Sequence, residues 1–434
     1  MSVRNLLILG FMLFSLFFGA GNLIFPPFLG MESGNYFIAA ISGFILTAVF
    51  IPFLAVLSVT LSKNGLLDIG RRVSPLFGLI FTIIVYLSIG ALYGIPRAAS
   101  VAYELGFVQV FARDNNFILF LFTVIFFAMT YILSIDPKKM VERIGKILTP
   151  ALILVLTILF VRAFFTLTYE ASQPDEKFIH TPFLTGFLEG YFTMDAIAAL
   201  AFGIVVVHSL QQMGVEDKRS IIKGTAFAGT IAAICLTIVY LSLSWIGRVL
   251  PITTDVENGA DILVLAADTL FGRSGSILFG LIVILACLTT CVGLTNACAT
   301  FFHERQPKVH FKSYVAIFAI IGLLITNLGL NTILSIATPI LVFIYPFAIV
   351  LIFLAIAQVF IGESKKMYVF SICLTATFAI HGVLDFFEFD LTRIDRILNV
   401  LPLHQNGLGW VLPAITVALI GYIWDKSTNN MIKE

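Results

Sequence analysis

The chain has 434 residues, 59% of them hydrophobic and only 12% charged, with a mean hydropathy of +1.03. Soluble domains run at roughly 45–50% apolar and about 25% charged, so the composition excludes a soluble globular protein and indicates a polytopic membrane protein. A net charge of +1 implies no strong attraction to nucleic acid.

A helix needs about 20 apolar residues to cross a bilayer. Twelve stretches qualify, at approximately 6–30, 36–61, 76–106, 117–134, 146–166, 184–210, 221–247, 275–302, 312–328, 331–361, 366–387 and 408–425. No loop is long enough for a separate soluble domain. Met1 to Gly19 could pass for a signal peptide, but it has a single Arg4 and many spans follow, so it reads as an uncleaved first helix.

Span 1 is interrupted by Gly19-Ala20-Gly21-Asn22 and again by Pro26-Pro27. Gly costs about 1 kcal/mol in a helix interior and Pro about 3. Unpaired backbone in hydrocarbon costs more still, so such a break is tolerated where it is buried in protein or lines a cavity. In transporters that cavity holds substrate and coupling ion. Span 6 is also unusual. It runs Gly190-Tyr191-Phe192-Thr193-Met194-Asp195, then Ala196 to Leu200, then Ala201-Phe202-Gly203, placing a charge and small residues mid-span. Spans 1 and 6 start five spans apart and enter from opposite sides, the signature of an inverted repeat. The expected division is 5–167 for the first repeat, 184–361 for the second, and 362–434 for two further helices.

The loop between spans 7 and 8, Pro251 to Gly272, contains Ala260 to Asp268, which reads as a short amphipathic helix. It is either an outer lid or a simple re-packing loop. Orientation follows from Lys and Arg in the loops. With the N-terminus inside, the cytoplasmic segments carry 18 of the 26 Lys and Arg, from Arg4 through Lys63, Arg71 and Arg72 to Lys426 and Lys433. The densest inner loop holds Lys138, Lys139, Arg143 and Lys146. The outer loops carry only Arg113, Lys177, Arg248, Arg273, Arg393 and Arg396. The bias supports both the orientation and an even number of spans.

Two constellations carry chemistry. If span 1 opens at Gly19-Ala20-Gly21-Asn22, the outer half-helix points its N-terminal amides inward, an end that favours a carboxylate. The inner half-helix ends near Phe18 and leaves carbonyls that suit a hard cation such as Na⁺. The alternative is close helix packing through small residues. The second constellation is Ala286-Cys287-Leu288-Thr289-Thr290 in span 8, where the hydroxyls either serve a ligand or bond back to the preceding turn.

The segment Phe17-Phe18-Gly19-Ala20-Gly21-Asn22-Leu23-Ile24-Phe25-Pro26-Pro27 resembles the first-helix motif of the bacterial branched-chain amino acid:cation symporters, the BrnQ-type carriers. Gly94-Ile95-Pro96-Arg97, Gly190 to Asp195 with Ala198 to Gly203, and Ala337-Thr338-Pro339 resemble the same family, and the likeness covers essentially the whole chain. That family is placed among transporters with the fold of the bacterial leucine transporter. The resemblance therefore implies an all-α membrane protein of twelve helices, a 5+5 inverted repeat with helices 1 and 6 broken, and two extra C-terminal helices. It further implies that Ala20, Gly21 and Asn22 bind substrate together with Ala199, Phe202 and Gly203, Phe202 lining the side-chain pocket. Ala-x-x-Thr-Thr is similar to the Ala-x-x-Thr-Ser sodium motif of that fold. The carbonyls of Ser15, Phe18 and Ala286 and the hydroxyls of Thr289 and Thr290 would then be Na⁺ ligands.

The leucine transporter carries an Arg between its Gly-Asn and its Phe-Pro; here Leu23-Ile24 leads straight to Phe25-Pro26. Arg97 and Asp195, each in the outer half of a span, are candidates to pair as an outer gate instead. A charge at a helix centre costs roughly 2.5–3.5 kcal/mol on insertion scales, so each should face a cavity or a partner. Glu104 and Glu189 read as solvated, His208 as a satisfied helix-end histidine, and His381 as outside the ten-helix core. Cys287, Cys291 and Cys298 could share one helix face and read as packing residues, with metal binding as the alternative. There is no Gly-rich phosphate loop, no HExxH and no membrane-depth Ser/His/Asp set, so neither an enzyme nor ATP coupling is expected. The expectation is a secondary transporter in the bacterial plasma membrane, both termini cytoplasmic, moving leucine, isoleucine and valine inward with Na⁺ and needing no cofactor. Proton coupling through Asp195 is the rival on the same fold; a channel or a polytopic enzyme fits less well.

Overall fold

The structure is a computed structural model that describes residues 3–62, 65–108, 111, 115–136, 149–167, 173–251, 256 and 259–431. Among these residues all regular structure is helical. The inner-loop cluster Lys138, Lys139, Arg143 and Lys146, and also Lys63, Arg113 and Lys433, lie outside the described residues.

Helix α1 (Val3–Phe17) is followed, after Phe18 and Gly19, by α2 (Ala20–Ser33). Then come α3 (Phe37–Ile45) and α4 (Ile51–Thr60), joined by a π-type turn, and the short α5 (Leu66–Arg71). Helices α6 (Pro75–Leu87) and α7 (Gly94–Val101) follow, each trailed by a π-type turn, with a kink at Gly90 between them. Next are α8 (Asn116–Ser134), α9 (Thr149–Thr166), α10 (Glu176–His180) and α11 (Pro182–Glu189). A 3₁₀ turn, Gly190–Thr193, leads into α12 (Asp195–Gln212). The long α13 (Lys218–Val249) and α15 (Arg273–Arg305) flank α14 (Gly259–Phe271). The chain finishes with α16 (Phe311–Thr326), α17 (Leu330–Ile361), α18 (Lys365–Phe386), α19 (Thr392–Leu398) and α20 (Val411–Met431).

Eight of these helical stretches are long and apolar enough to cross a membrane by length and composition. A ninth is the pair α16 and Leu330–Ile336, which bends by 109°. The remaining expected spans are not among these eight, the C-terminal α20 included. Val3–Phe17 is short and apolar, and α9 is described only from Thr149. The helix expected between Ala260 and Asp268 is present as α14 and packs on α2 and α15.

The core is held by close backbone approaches. A Cβ at Gly30 would lie 1.8 Å from the Ser244 carbonyl oxygen, and one at Gly247 would lie 1.9 Å from that of Pro27. Helices α2 and α13 therefore touch backbone to backbone, as small residues permit in membranes. A carbonyl inside a helix cannot swing aside. Gly30→Ala should therefore cost about 1–3 kcal/mol by overpacking. The purified protein in detergent should unfold at a lower temperature; an unchanged midpoint would remove this contact from the account.

Sequence alone suggested that Pro26-Pro27 would break span 1 a second time. Instead, α2 runs through both prolines. Each lacks an N–H, so the carbonyls of Asn22 and Leu23 lose their usual helical donors while the helix path is kept. Glu189 is not simply solvated: Lys177 Nζ lies 3.0 Å from its Oε1 and 2.8 Å from Glu32 Oε2.

Candidate substrate and cation site

The site begins where α1 stops. Phe18 N–H still bonds back to Phe14, 2.7 Å away, but Gly19 N–H donates to Asn22 Oδ1 at 3.0 Å. In a continuous helix that N–H would close on the Ser15 carbonyl. Gly19 is extended, with φ −130° and ψ −157°, and caps α2. The first amides of α2 have no acceptor within their own helix, as at any helix start, and they carry the positive end of its dipole.

Asn22 then turns its other side-chain atom inward. Its Nδ2 donates to Asp195 Oδ2 at 2.7 Å and also contacts the Tyr240 hydroxyl. Tyr240 donates to the same Asp195 oxygen at 2.7 Å. One carboxylate oxygen thus ties α2, α12 and α13 together, and all three residues are buried. Asp195 is aimed there by Met194, whose φ of 68° is left-handed. A non-glycine residue in that region costs about 1 kcal/mol or more, and such strain collects at functional sites.

Arg97 comes from α7 and is 6% exposed. Its Nη1 donates to the Phe192 carbonyl at 2.8 Å and to Tyr93 OH at 3.0 Å, and its Nη2 to the Thr193 carbonyl at 3.1 Å. The direct Arg97–Asp195 pair expected from sequence is replaced by these contacts. The guanidinium fork fits two successive carbonyls, whereas the Asp195 oxygen is taken by Asn22 and Tyr240. A Cβ on Gly21 would sit 2.9 Å from Arg97 Nη2, so the guanidinium lies against the start of α2.

Across the break, α15 presents its two threonines. Thr290 Oγ1 donates to the Phe18 carbonyl at 3.3 Å, joining α15 to the end of α1. Thr289 Oγ1 bonds back to the Ala286 carbonyl at 2.7 Å. Two oxygen pairs result, Thr290 with Phe18 across the helices and Thr289 with Ala286 within α15.

A small cavity of about 30 Å³ lies among these elements. Ala20, Asn22, Arg97, Asp195, Phe202 and Thr290 line it, with Thr193, Met194, Ala198 and the apolar Leu16, Phe17, Ile89 and Leu294. Gly21, Ala199, Gly203, Ser15, Phe18, Ala286 and Thr289 are not among its lining residues. Gly203 is where α12 meets α4, since a Cβ there would lie 2.6 Å from Val59 side-chain atoms. The sequence reading missed Tyr240, Thr193 and Ala198. A tyrosine buried in the middle of α13 was the available signal, because its hydroxyl needs a partner.

Larger cavities lie elsewhere in the fold. One of about 580 Å³ is lined by Lys177, Glu189, Tyr191, Phe192, Tyr345 and Trp410. Another, about 380 Å³, is lined by Leu66, Arg71, Tyr86, Ile204, Glu304 and Arg305. Tyr191 and Tyr345 stack with centroids 4.5 Å apart. The turn Gly190–Thr193 therefore faces the larger cavity with Tyr191 and Phe192 and the central one with Thr193.

A cavity at a helix break that is lined by a buried arginine and a buried aspartate is the kind of place where transporters hold their substrate. The family model for the branched-chain amino acid transport protein matches residues 2–428. The chain belongs to that family. Among its relatives, the branched-chain amino acid permease BraB of Bacillus subtilis is 40% identical over 424 residues, covering 97% of this chain and 95% of that protein. The permease BrnQ of Corynebacterium glutamicum is 39% identical over 428 residues, covering 98% and 97%. These relatives are permeases, so the family is one of transporters and not of enzymes. Solved structures share the fold at low identity. Mhp1, a nucleobase-cation-symport-1 family transporter, gives a TM-score of 0.59 at 16% identity, covering 95% of this chain and 91% of that one. MhsT, solved with L-phenylalanine, gives 0.53 at 17%, covering 96% and 98%. The branched-chain transporter fold is thus of the leucine-transporter kind.

Proposed function

We propose that the protein is a Na⁺ symporter that imports leucine, isoleucine and valine through the bacterial plasma membrane by alternating access. The observation that carries this is the convergence on one cavity of the α2 N-terminus, Arg97, Asp195 and the Thr290–Phe18 junction. Its chemistry suits a zwitterion. The carboxylate docks on the amides of Ala20 and Gly21, with Arg97 Nη2 alongside. The ammonium is held by Asp195 and by carbonyls at the break, and the branched side chain lies against Phe202, Ile89 and Leu294. Ala199 and Gly203 back this wall from behind. A cavity of about 30 Å³ has room for about two waters and not for an amino acid, so substrate entry requires the walls to move apart.

Na⁺ sits between α1 and α15 on the carbonyls of Ser15, Phe18 and Ala286 and the hydroxyls of Thr289 and Thr290. It holds the two helices together and favours the outward-open form. The chain crosses the membrane twelve times, with both termini cytoplasmic. Residues 5–167 and 184–361 are inverted repeats whose first helices are broken at Gly19 and Met194, and 362–434 adds two helices. Arg97 serves as the outer gate by clasping the carbonyls of Phe192 and Thr193. Opening the roof of Tyr191, Phe192 and Tyr345 would break that clasp.

One observation favours a proton-coupled version of the same cycle: Asp195 is buried on uncharged partners, Asn22 and Tyr240. Labelled leucine uptake into proteoliposomes decides between the two. An inward Na⁺ gradient alone should drive accumulation, with isoleucine and valine competing. Discrimination among them should be weak, since one methylene in an apolar pocket is worth about 1–3 kcal/mol. Accumulation driven by a proton gradient in Na⁺-free buffer would transfer the coupling role to Asp195. Arg97→Lys should keep the charge but not the two-pronged clasp, and should lower the uptake rate more than it alters Na⁺ dependence.

A further inference from the structure

Among the described residues, only one group of His, Cys, Asp and Glu side chains has the spacing of a metal site, and it lies far from the substrate cavity in sequence. It consists of His381 on α18, Asp395 on α19 and His404 at the start of the 3₁₀ turn His404–Asn406. One ligand atom from each lies within 4.8 Å of the other two. His381 Nε2 is 2.8 Å from Asp395 Oδ1, and His404 Nε2 is 3.8 Å from the same oxygen. The imidazoles are 5.4 Å apart between centroids and inclined at 57°, so they converge instead of stacking flat. Both histidine side chains are nearly buried, at 13% and 12% exposure, while Asp395 at 36% faces the open side.

Tetrahedral zinc with Zn–N and Zn–O bonds of about 2.0–2.2 Å places its ligand atoms about 3.3 Å apart. The two distances to Asp395 bracket that value, and all three ligand atoms lie within 4.8 Å, so small side-chain adjustments would close the site. Three protein ligands with one open position is an established zinc arrangement. The histidine carriers are preset by backbone. Leu403 before the turn and Gly407 after it are both left-handed, with φ of 69° each.

We propose that His381, Asp395 and His404 bind a divalent transition metal of the zinc type, which fastens a wall of the larger cavity beside Tyr191 and Tyr345. The connection is direct. Asn406, in the same turn as His404, donates to Thr181 Oγ1 at 3.1 Å, and Asn406, Gly407 and Trp410 line that cavity beside Tyr191 and Tyr345. A metal that pins the turn to α18 and α19 therefore restrains the segment over which the aromatic roof must open.

The test uses the full-length protein, purified on a tag without histidines and stripped with chelator. Calorimetric titration with Zn²⁺ should show one site per chain, and Co²⁺ should give the visible bands of a tetrahedral complex. His381→Ala, His404→Ala and Asp395→Asn should each weaken binding at least about tenfold, the scale on which even outer-shell partners act. Zn²⁺ should raise the unfolding temperature of the unaltered protein but not of these variants. His310→Ala, elsewhere in the chain, should bind like the unaltered protein. Absence of Zn²⁺ binding, or binding untouched in all three variants, overturns the proposal and leaves His381–Asp395 a hydrogen bond only. Should His404→Ala fail to fold, His404→Gln keeps the volume and supplies the same readout.

Discussion

Asp195→Asn is expected to give a protein that folds and inserts normally but takes up leucine at least about 30-fold more slowly at low substrate. Removing one partner of a buried, hydrogen-bonded charge typically costs about 2–5 kcal/mol, and 2 kcal/mol is about 30-fold in affinity. Folding should survive because Asn is nearly isosteric. Its oxygen still accepts from Tyr240 or from Asn22 Nδ2, the donors now on Asp195 Oδ2. What it cannot do is offer an anion to an ammonium group, and Arg97 then becomes the one formal charge among the residues lining the cavity. Equilibrium leucine binding separates the possible causes. If Asp195 holds the ammonium, binding itself falls with uptake. If it carries a coupling proton, binding and leucine exchange persist while gradient-driven accumulation is lost. Intact binding together with intact accumulation would remove Asp195 from both roles.

Tyr240→Phe provides a milder companion. It deletes one donor to Asp195 while keeping the ring against Phe44, with which it makes an edge contact at 5.3 Å. A hydrogen bond to a charged group contributes about 1.5–3 kcal/mol, so a roughly tenfold loss in apparent leucine affinity is expected, without loss of Na⁺ dependence. An affinity equal to that of the unaltered protein would mean that Asn22 alone positions the carboxylate.

How much of this was legible in the sequence depends on whether side chain or backbone does the work. The break at Gly19 could be read directly, because Gly-Ala-Gly-Asn in mid-span has few other physical explanations. Thr290, Arg97 and Asp195, which all line the cavity, stood out for the same reason: polar groups at membrane depth are costly and must face something; Thr289 bonds back to its own helix. The partners of Arg97 were not legible, since the carbonyls of Phe192 and Thr193 belong to the backbone and leave no mark in side-chain identity. Nor was the choice of Ala198 over Ala199 as lining residue. One step along a helix is a rotation of about 100°, finer than a motif of consecutive small residues can fix. Tyr240 lay in a helix with no break to draw attention, and only the fold brings it to Asp195. The prolines misled for a related reason. Their cost is local and certain, but α2 lies against α13 and α14 on both sides, and packing holds its path.

Thr290→Ala should produce the second large effect, and of a different kind. Thr290 lines the cavity and reaches the Phe18 carbonyl from α15, so its hydroxyl belongs to the contact between α1 and α15 and, on the proposed function, to the cation site as well. Losing an oxygen ligand to a cation is comparable with losing a charge-assisted hydrogen bond, about 1.5–3 kcal/mol, so the Na⁺ concentration for half-maximal uptake should rise at least about tenfold. The maximal rate at saturating Na⁺ should change less, because α2, Arg97 and Asp195 are untouched. Thr290→Ser keeps the oxygen and should restore most of the affinity; Thr290→Val keeps the shape and should not. Thr289→Ala tests the companion ligand, whose hydroxyl now bonds to Ala286 in its own helix. A shared rise in the Na⁺ requirement places both hydroxyls on one ion. If Thr290→Val transports with unchanged Na⁺ dependence, the junction of α1 and α15 is a packing contact, and the coupling ion binds elsewhere or is a proton at Asp195.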